Sequence, residues 1–141
     1  MGKKFWIGFI VIFVLWNILD FLIHGVLLAG TYAMPDVMRL FRPDMQQKMW
    51  IFYLVSIFTS FFITLIFSKW YRGRGISEGI QFGVYAGFLM ATPMAYSSYA
   101  MYPMPYYLAM QWFLYGMVHY IILGIVLSLV FGKNTAALPA R

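Results

Sequence analysis

The sequence predicts an all-α integral membrane protein: a four-transmembrane-helix bundle, N-in/C-in, forming one domain over residues 1–141. Three observations predict it. Only 10% of the residues are charged and 63% are apolar, whereas a soluble domain carries about 25% charged residues to cover its surface. Four apolar stretches reach roughly the 20 residues that a helix needs to cross the hydrocarbon core. The basic residues sit in short clusters at the ends of those stretches, so the net charge of +6 is a membrane-topology pattern and not a nucleic-acid footprint. The chain has no cysteine, which excludes disulfides and thiolate metal sites.

The first span is Phe5–Ala29. Lys3 and Lys4 precede it as the n-region of a signal peptide would. The apolar run, however, exceeds the roughly 7–15 residues of an h-region, holds Asp20 and His24, and has no A-x-A site, so a retained span is expected. Trp50–Phe67 is the second span and Ile80–Tyr99 the third. Pro93 interrupts the third; it releases the carbonyl of Leu89 and is expected to bend the helix. Tyr107–Phe131 is the fourth.

The loops predict orientation. Lys3, Lys4, Lys69, Arg72, Arg74, Lys133 and Arg141 fall on one side. The other side has Arg39, Arg42 and Lys48, offset by Asp36 and Asp44, and no charge from Pro93 to Gln111. The positive-inside rule then puts both termini in the cytoplasm, and the expected location is a cytoplasmic (inner) membrane. In the first outer loop Pro35 is placed to open a short interfacial helix and Pro43 the next. The second outer loop, A-Y-S-S-Y-A-M-Y-P-M-P-Y-Y, reads as an aromatic belt. The inner loop K-W-Y-R-G-R-G is suited to anionic headgroups.

Small residues recur every four positions along the third span: Gly75, Gly79, Gly83, Gly87, Ala91 and Ala95. Such a ridge lets another helix approach closely, either within the same bundle or on a second protein docked at Gly79, Gly83, Gly87 and Ala91. Gly116 and Gly124 of the fourth span form no comparable ridge.

Polar residues keep to stripes. Asn17, Asp20 and His24 fall within a band about 60° wide at about 100° per residue. Tyr53, Ser56, Thr59, Ser60 and Thr64 share a face of the second span, and Gln81, Tyr85, Thr92 and Tyr96 share one on the third. Tyr107, Gln111, Tyr115 and His119 follow i, i+4 spacing on the fourth. All four stripes are expected to turn inward, away from lipid. At about 1.5 Å per residue, most of these groups lie in the outer half, with Asp20 and His24 about 5 and 10 Å outward of Asn17. The predicted polar pocket is Asn17, Asp20, His24, Thr92, Tyr96, Gln111, Tyr115 and His119, with His24 as the expected partner of Asp20.

That pocket admits several functions. Its residues can bond the helices together. They can carry a proton or small solute, although the inner half offers little beyond Thr64 and Gln81. His24 and His119 can each ligate haem iron or chlorophyll magnesium; their difference in depth, about 10 Å, disfavours one bis-His haem. Met101 and Met104, with Met90, Met94 and Met110 near, are soft ligands suited to Cu(I), but no His or Cys joins them. No nucleophile elbow, H-E-x-x-H or phosphate loop is present, and no enzymatic activity is expected. The segment R-G-I-S-E-G-I-Q-F-G-V-Y-A-G at 74–87 resembles parts of small four-helix bacterial membrane proteins, a resemblance that implies no activity. The expected function is a non-catalytic accessory subunit of a membrane complex, with lipid and other subunits or further copies of itself as partners. A proton- or solute-handling transporter-like protein and a pigment-ligating subunit are the alternatives.

Overall fold

The computed structural model describes residues 2–132, so Lys133 and Arg141 lie outside the described residues. Those residues are helical and hold no strand. Helix α1, Lys3–Asp20, continues as a π-helical segment, Phe21–Leu27, and after Leu28 as the short α2, Ala29–Tyr32. α3 is Pro35–Met38, with Pro35 in its first turn, where the missing N–H is not needed. A 3-10 turn, Met45–Lys48, rather than a helix starting at Pro43, leads into α4, Met49–Trp70. α5 is Ile76–Thr92, and a π turn, Pro93–Ser97, carries it past the proline into α6, Ser98–Met101. An i→i+5 turn of this kind is a common way for a helix to absorb a local irregularity. α7, Tyr106–Phe131, ends at Gly132, whose φ of 71° with ψ 163° is an extended positive-φ conformation open to glycine.

Among the described residues three segments are long and apolar enough to cross a membrane: Lys3–Leu27, Met45–Trp70 and Tyr106–Phe131. The expected third span, Ile80–Tyr99, is not among them; Gln81, Gly83, Gly87, Thr92 and Pro93 dilute its apolar content.

The closest packing joins α5 to α7. A Cβ built on Gly79 would meet Ser128, one on Gly83 would meet the backbone of Tyr120 and Ile121, and one on Gly87 would meet Met117. Gly124 and Gly116 answer from α7, against Gly79 and Ala91. The small-residue ridge is therefore covered by a helix of the same chain. As a docking face for a second protein it is occupied, because two backbones approach there with no side chain between them. The two glycines of α7 matter after all: each opposes one small residue of α5, so they need no ridge of their own.

α1 packs on α4 and on α7. The main core draws Ile12 from α1, Ile63 and Phe67 from α4, Phe82 from α5, and Leu123 and Leu127 from α7. A smaller cluster at the opposite end seats Val37 of α3 on Met104, Leu108 and Ala109. At the end that carries Lys3, Lys4 Nζ donates to the carbonyl of Phe131, and the Tyr71 hydroxyl donates to the carbonyl of Gly132 at 3.2 Å. The start of α1, the α4–α5 loop and the end of α7 thus meet.

Candidate functional site

The polar stripes turn inward only in part. Ser56, Ser60 and Thr64 of α4 are buried, whereas Tyr53, Gln81 and Tyr85 face outward. On α5 the small-residue ridge takes the inner side against α7, which leaves Gln81 and Tyr85 on the outer one.

Asn17 is saturated by α1 and α4. Its amide donates to the Phe13 carbonyl at 2.7 Å and to Ser56 Oγ at 3.2 Å. Asp20 Oδ2 accepts the indole N–H of Trp16 at 2.9 Å, and Oδ1 lies 3.5 Å from His119 Nδ1. Asp20 is thus joined to His119 across two helices, and not to His24 as expected. His24 lies in the π-helical segment, where the turn per residue differs from the α-helical value. Its Nδ1 instead meets the hydroxyl of Tyr32 at 2.5 Å, with the rings parallel.

Direction along this second group follows from donor chemistry. Trp112 Nε1 has only a proton to give, and donates to the Tyr32 oxygen at 2.9 Å. The Tyr32 hydroxyl is then free to donate to His24 Nδ1, which places the ring proton on Nε2. Burial pushes Tyr32 up to about 12, against the opposing pull of the Trp112 N–H, so it remains a donor at neutral pH.

His119 is 5% exposed, and its Nε2 is buried without a hydrogen-bond partner among the described residues. Nδ1 faces the Asp20 carboxylate, and a neutral ring with its proton there has Nε2 as the acceptor nitrogen. Gln111 Oε1, Ser60 Oγ and Thr64 Oγ1 are also buried and unpartnered there. The remaining predicted pocket residues stand apart. Tyr96 packs on Phe113 and Tyr106, about 120° or more round α7 from His119 at about 100° per residue. Thr92 and Tyr115 are half-buried and make no side-chain hydrogen bond among the described residues.

The pigment reading meets a steric objection at His119. Its ring packs edge-on to Trp16 at 4.6 Å and against Tyr120 at 5.6 Å between centroids. Nε2 is itself buried, with no open space along the nitrogen–metal axis for a macrocycle, so His119 does not fit as an axial ligand in this packing. Among the described residues no three His, Asp or Glu side chains gather into a metal-holding group. Met104 is buried in the cluster around Val37 while Met101 is 70% exposed, so the two do not converge as a thioether pair.

Toward the Lys3 end, Ile12, Ile63, Phe67, Leu123 and Leu127 close the bundle. At the α3 end a second apolar cluster, Val37 on Met104, Leu108 and Ala109, packs against Tyr32 and Trp112 of the seam. Between the outer halves of α1 and α4 lies a separate groove of about 460 Å³, lined by Phe13, Ile18, Phe21 and Tyr53, with Asn17 in its wall.

Three members of the seam were not singled out in the sequence: Trp16, Tyr32 and Trp112. Trp16 stands four residues before Asp20, a spacing that was legible. Tyr32 needed the bend at Leu28 to be placed. Glu78 was also missed. It is 4% exposed and accepts the backbone N–H groups of Arg72 and Arg74, both at 2.9 Å. Gly75 caps α5, so Glu78 is its third helical residue, a favoured position for a carboxylate.

Compared with protein-family models, curated proteins and solved structures, the chain matches none of them.

Proposed function

We propose that this is a four-span protein of a cytoplasmic (inner) membrane, both termini inside, that handles a proton or a small polar solute at Asp20 and His119. The observation that carries the reading is the 3.5 Å approach of Asp20 on α1 to His119 on α7, with His119 Nε2 left as a buried acceptor. A carboxylate at this depth costs about 2.5–3.5 kcal/mol even on the lenient insertion scale. Helix-joining hydrogen bonds average only about 0.6 kcal/mol, so adhesion alone does not account for it. Intramembrane ionisable groups more often mark a pathway or a ligand.

The third span would be the rod Ile76–Met101, about 39 Å long at about 1.5 Å per residue, against a core of about 30 Å. The inward placement of the termini is supported by charge. Lys3, Lys4, Lys69, Arg72 and Arg74 belong to one end, whereas at the other Asp44 pairs with Arg42 and Lys48.

The test is proton flux in proteoliposomes loaded with a pH-sensitive dye. Positioned proton-transfer groups contribute about 10²–10⁴-fold, so Asp20→Asn and His119→Gln are each expected to lower flux about a hundredfold. Wild-type flux equal to empty vesicles, or unchanged flux in both variants, would reject the reading.

An accessory subunit or homo-oligomer remains the second reading. With the glycine ridge covered, its docking surface would be the aromatic outer half of α4, where Trp50, Phe52, Tyr53 and Phe58 are each more than half exposed. Extraction in mild detergent, a mass measurement and an absorption spectrum examine it together with a pigment at His24. A colourless protein of monomer mass would leave neither standing.

A further inference from the structure

The α4–α5 loop is held rigid by its own backbone contacts, and its cations are left free. Glu78 ties the N–H groups of Arg72 and Arg74, and the Tyr71 hydroxyl accepts the N–H of Gly75 at 3.1 Å. Tyr71 is itself stacked on Phe67 at 4.8 Å. Gly73 and Gly75, both at φ 87°, make the two tight reversals that this path requires. Glu78 is the acid nearest these cations in the chain, and it is consumed by backbone. Lys69, Arg72 and Arg74 are exposed, and none makes a side-chain hydrogen bond or ion pair among the described residues. On the lipid-facing side of α4, immediately before the loop, Leu65, Ile66 and Trp70 line a shallow groove of about 540 Å³ that ends at Lys69.

We propose that the Lys69 end of α4 binds an anionic phospholipid, its phosphate held by Lys69, Arg72 and Arg74 and an acyl chain lying along Leu65, Ile66 and Trp70. The two chemistries follow one another along the chain as they do along a lipid: a cation cluster at headgroup level, then an apolar channel. The Glu78 clasp fixes the loop backbone before the ligand arrives, which lowers the ordering cost of binding. The site is independent of the Asp20–His119 pair, so either proposal can fail alone.

The experiment is native mass spectrometry of the full chain in mild detergent, with phosphatidylglycerol and phosphatidylcholine of identical acyl chains. Basic residues near an anionic surface contribute about fivefold each. The wild type should therefore retain phosphatidylglycerol about a hundredfold better. The K69Q/R72Q/R74Q variant should lose the preference, and R39Q, at the opposite end, should keep it. All four side chains are exposed, and helix content by circular dichroism confirms that each variant is folded. Equal retention of both lipids by the wild type, or a preserved preference in the triple variant, overturns the proposal. So does displacement of the lipid by equimolar glycerol phosphate, which would make this a soluble-anion site without use of the groove.

Discussion

Gly83→Leu is expected to destabilise the bundle by about 3 kcal/mol or more. A Cβ at this position would lie 2.5 Å from both the Ile121 Cα and the Tyr120 carbonyl oxygen. Both are backbone atoms, so no rotamer change can relieve the clash, and α5 and α7 must move apart. Overpacking a core costs about 1–3 kcal/mol when side chains can yield; here they cannot. Separation at Gly83 also strips the neighbouring approach of Gly79 to Gly124 and Ser128. Reversible unfolding in mixed detergent micelles measures the loss. Gly30→Leu is the control, since nothing lies within 4 Å of a Cβ there, and it should stay within about 0.5 kcal/mol of wild type. Equal stability of Gly83→Leu and wild type would mean that α5 and α7 do not meet as described.

Glu78→Ala is expected to open the α4–α5 loop. Hydrogen bonds to a charged group contribute about 1.5–3 kcal/mol each. The two from Arg72 and Arg74 are not additive, so a local loss of about 3 kcal/mol is expected. Trypsin cleaves after arginine and reads this opening directly. Cleavage at Arg72 and Arg74 should accelerate about a hundredfold if it follows the open population. Glu78→Gln keeps one acceptor oxygen and should give about half the free-energy change. Cleavage of Glu78→Ala at the wild-type rate would show that the carboxylate does not hold the loop.

The helices and their approximate limits were legible in the sequence. Hydrophobic run length sets them, and that is a local property. The ridge from Gly75 to Ala95 was legible as a close-packing face for the same reason, since four-residue spacing on a helix is a local geometric fact. Its occupant was not. Gly116 and Gly124 carry no periodic signal of their own and become partners only when α7 is laid against α5. The burial of Glu78 was half legible. Its place three residues after Gly75 marks a helix start, but the two N–H groups that it receives come from a loop whose path depends on Gly73 and Gly75.

The seam shows the same division. The sequence by itself determined that this chain is a set of apolar helices with Asp20, His24 and His119 kept on polar stripes, because composition and 3.6-residue periodicity act within one helix. Only the tertiary structure decided that Asp20 meets His119 while His24 meets Tyr32. That choice depends on the π-helical turns at Phe21–Leu27, on the bend at Leu28, and on the rotation of α7. The glycine contacts with α5 set that rotation.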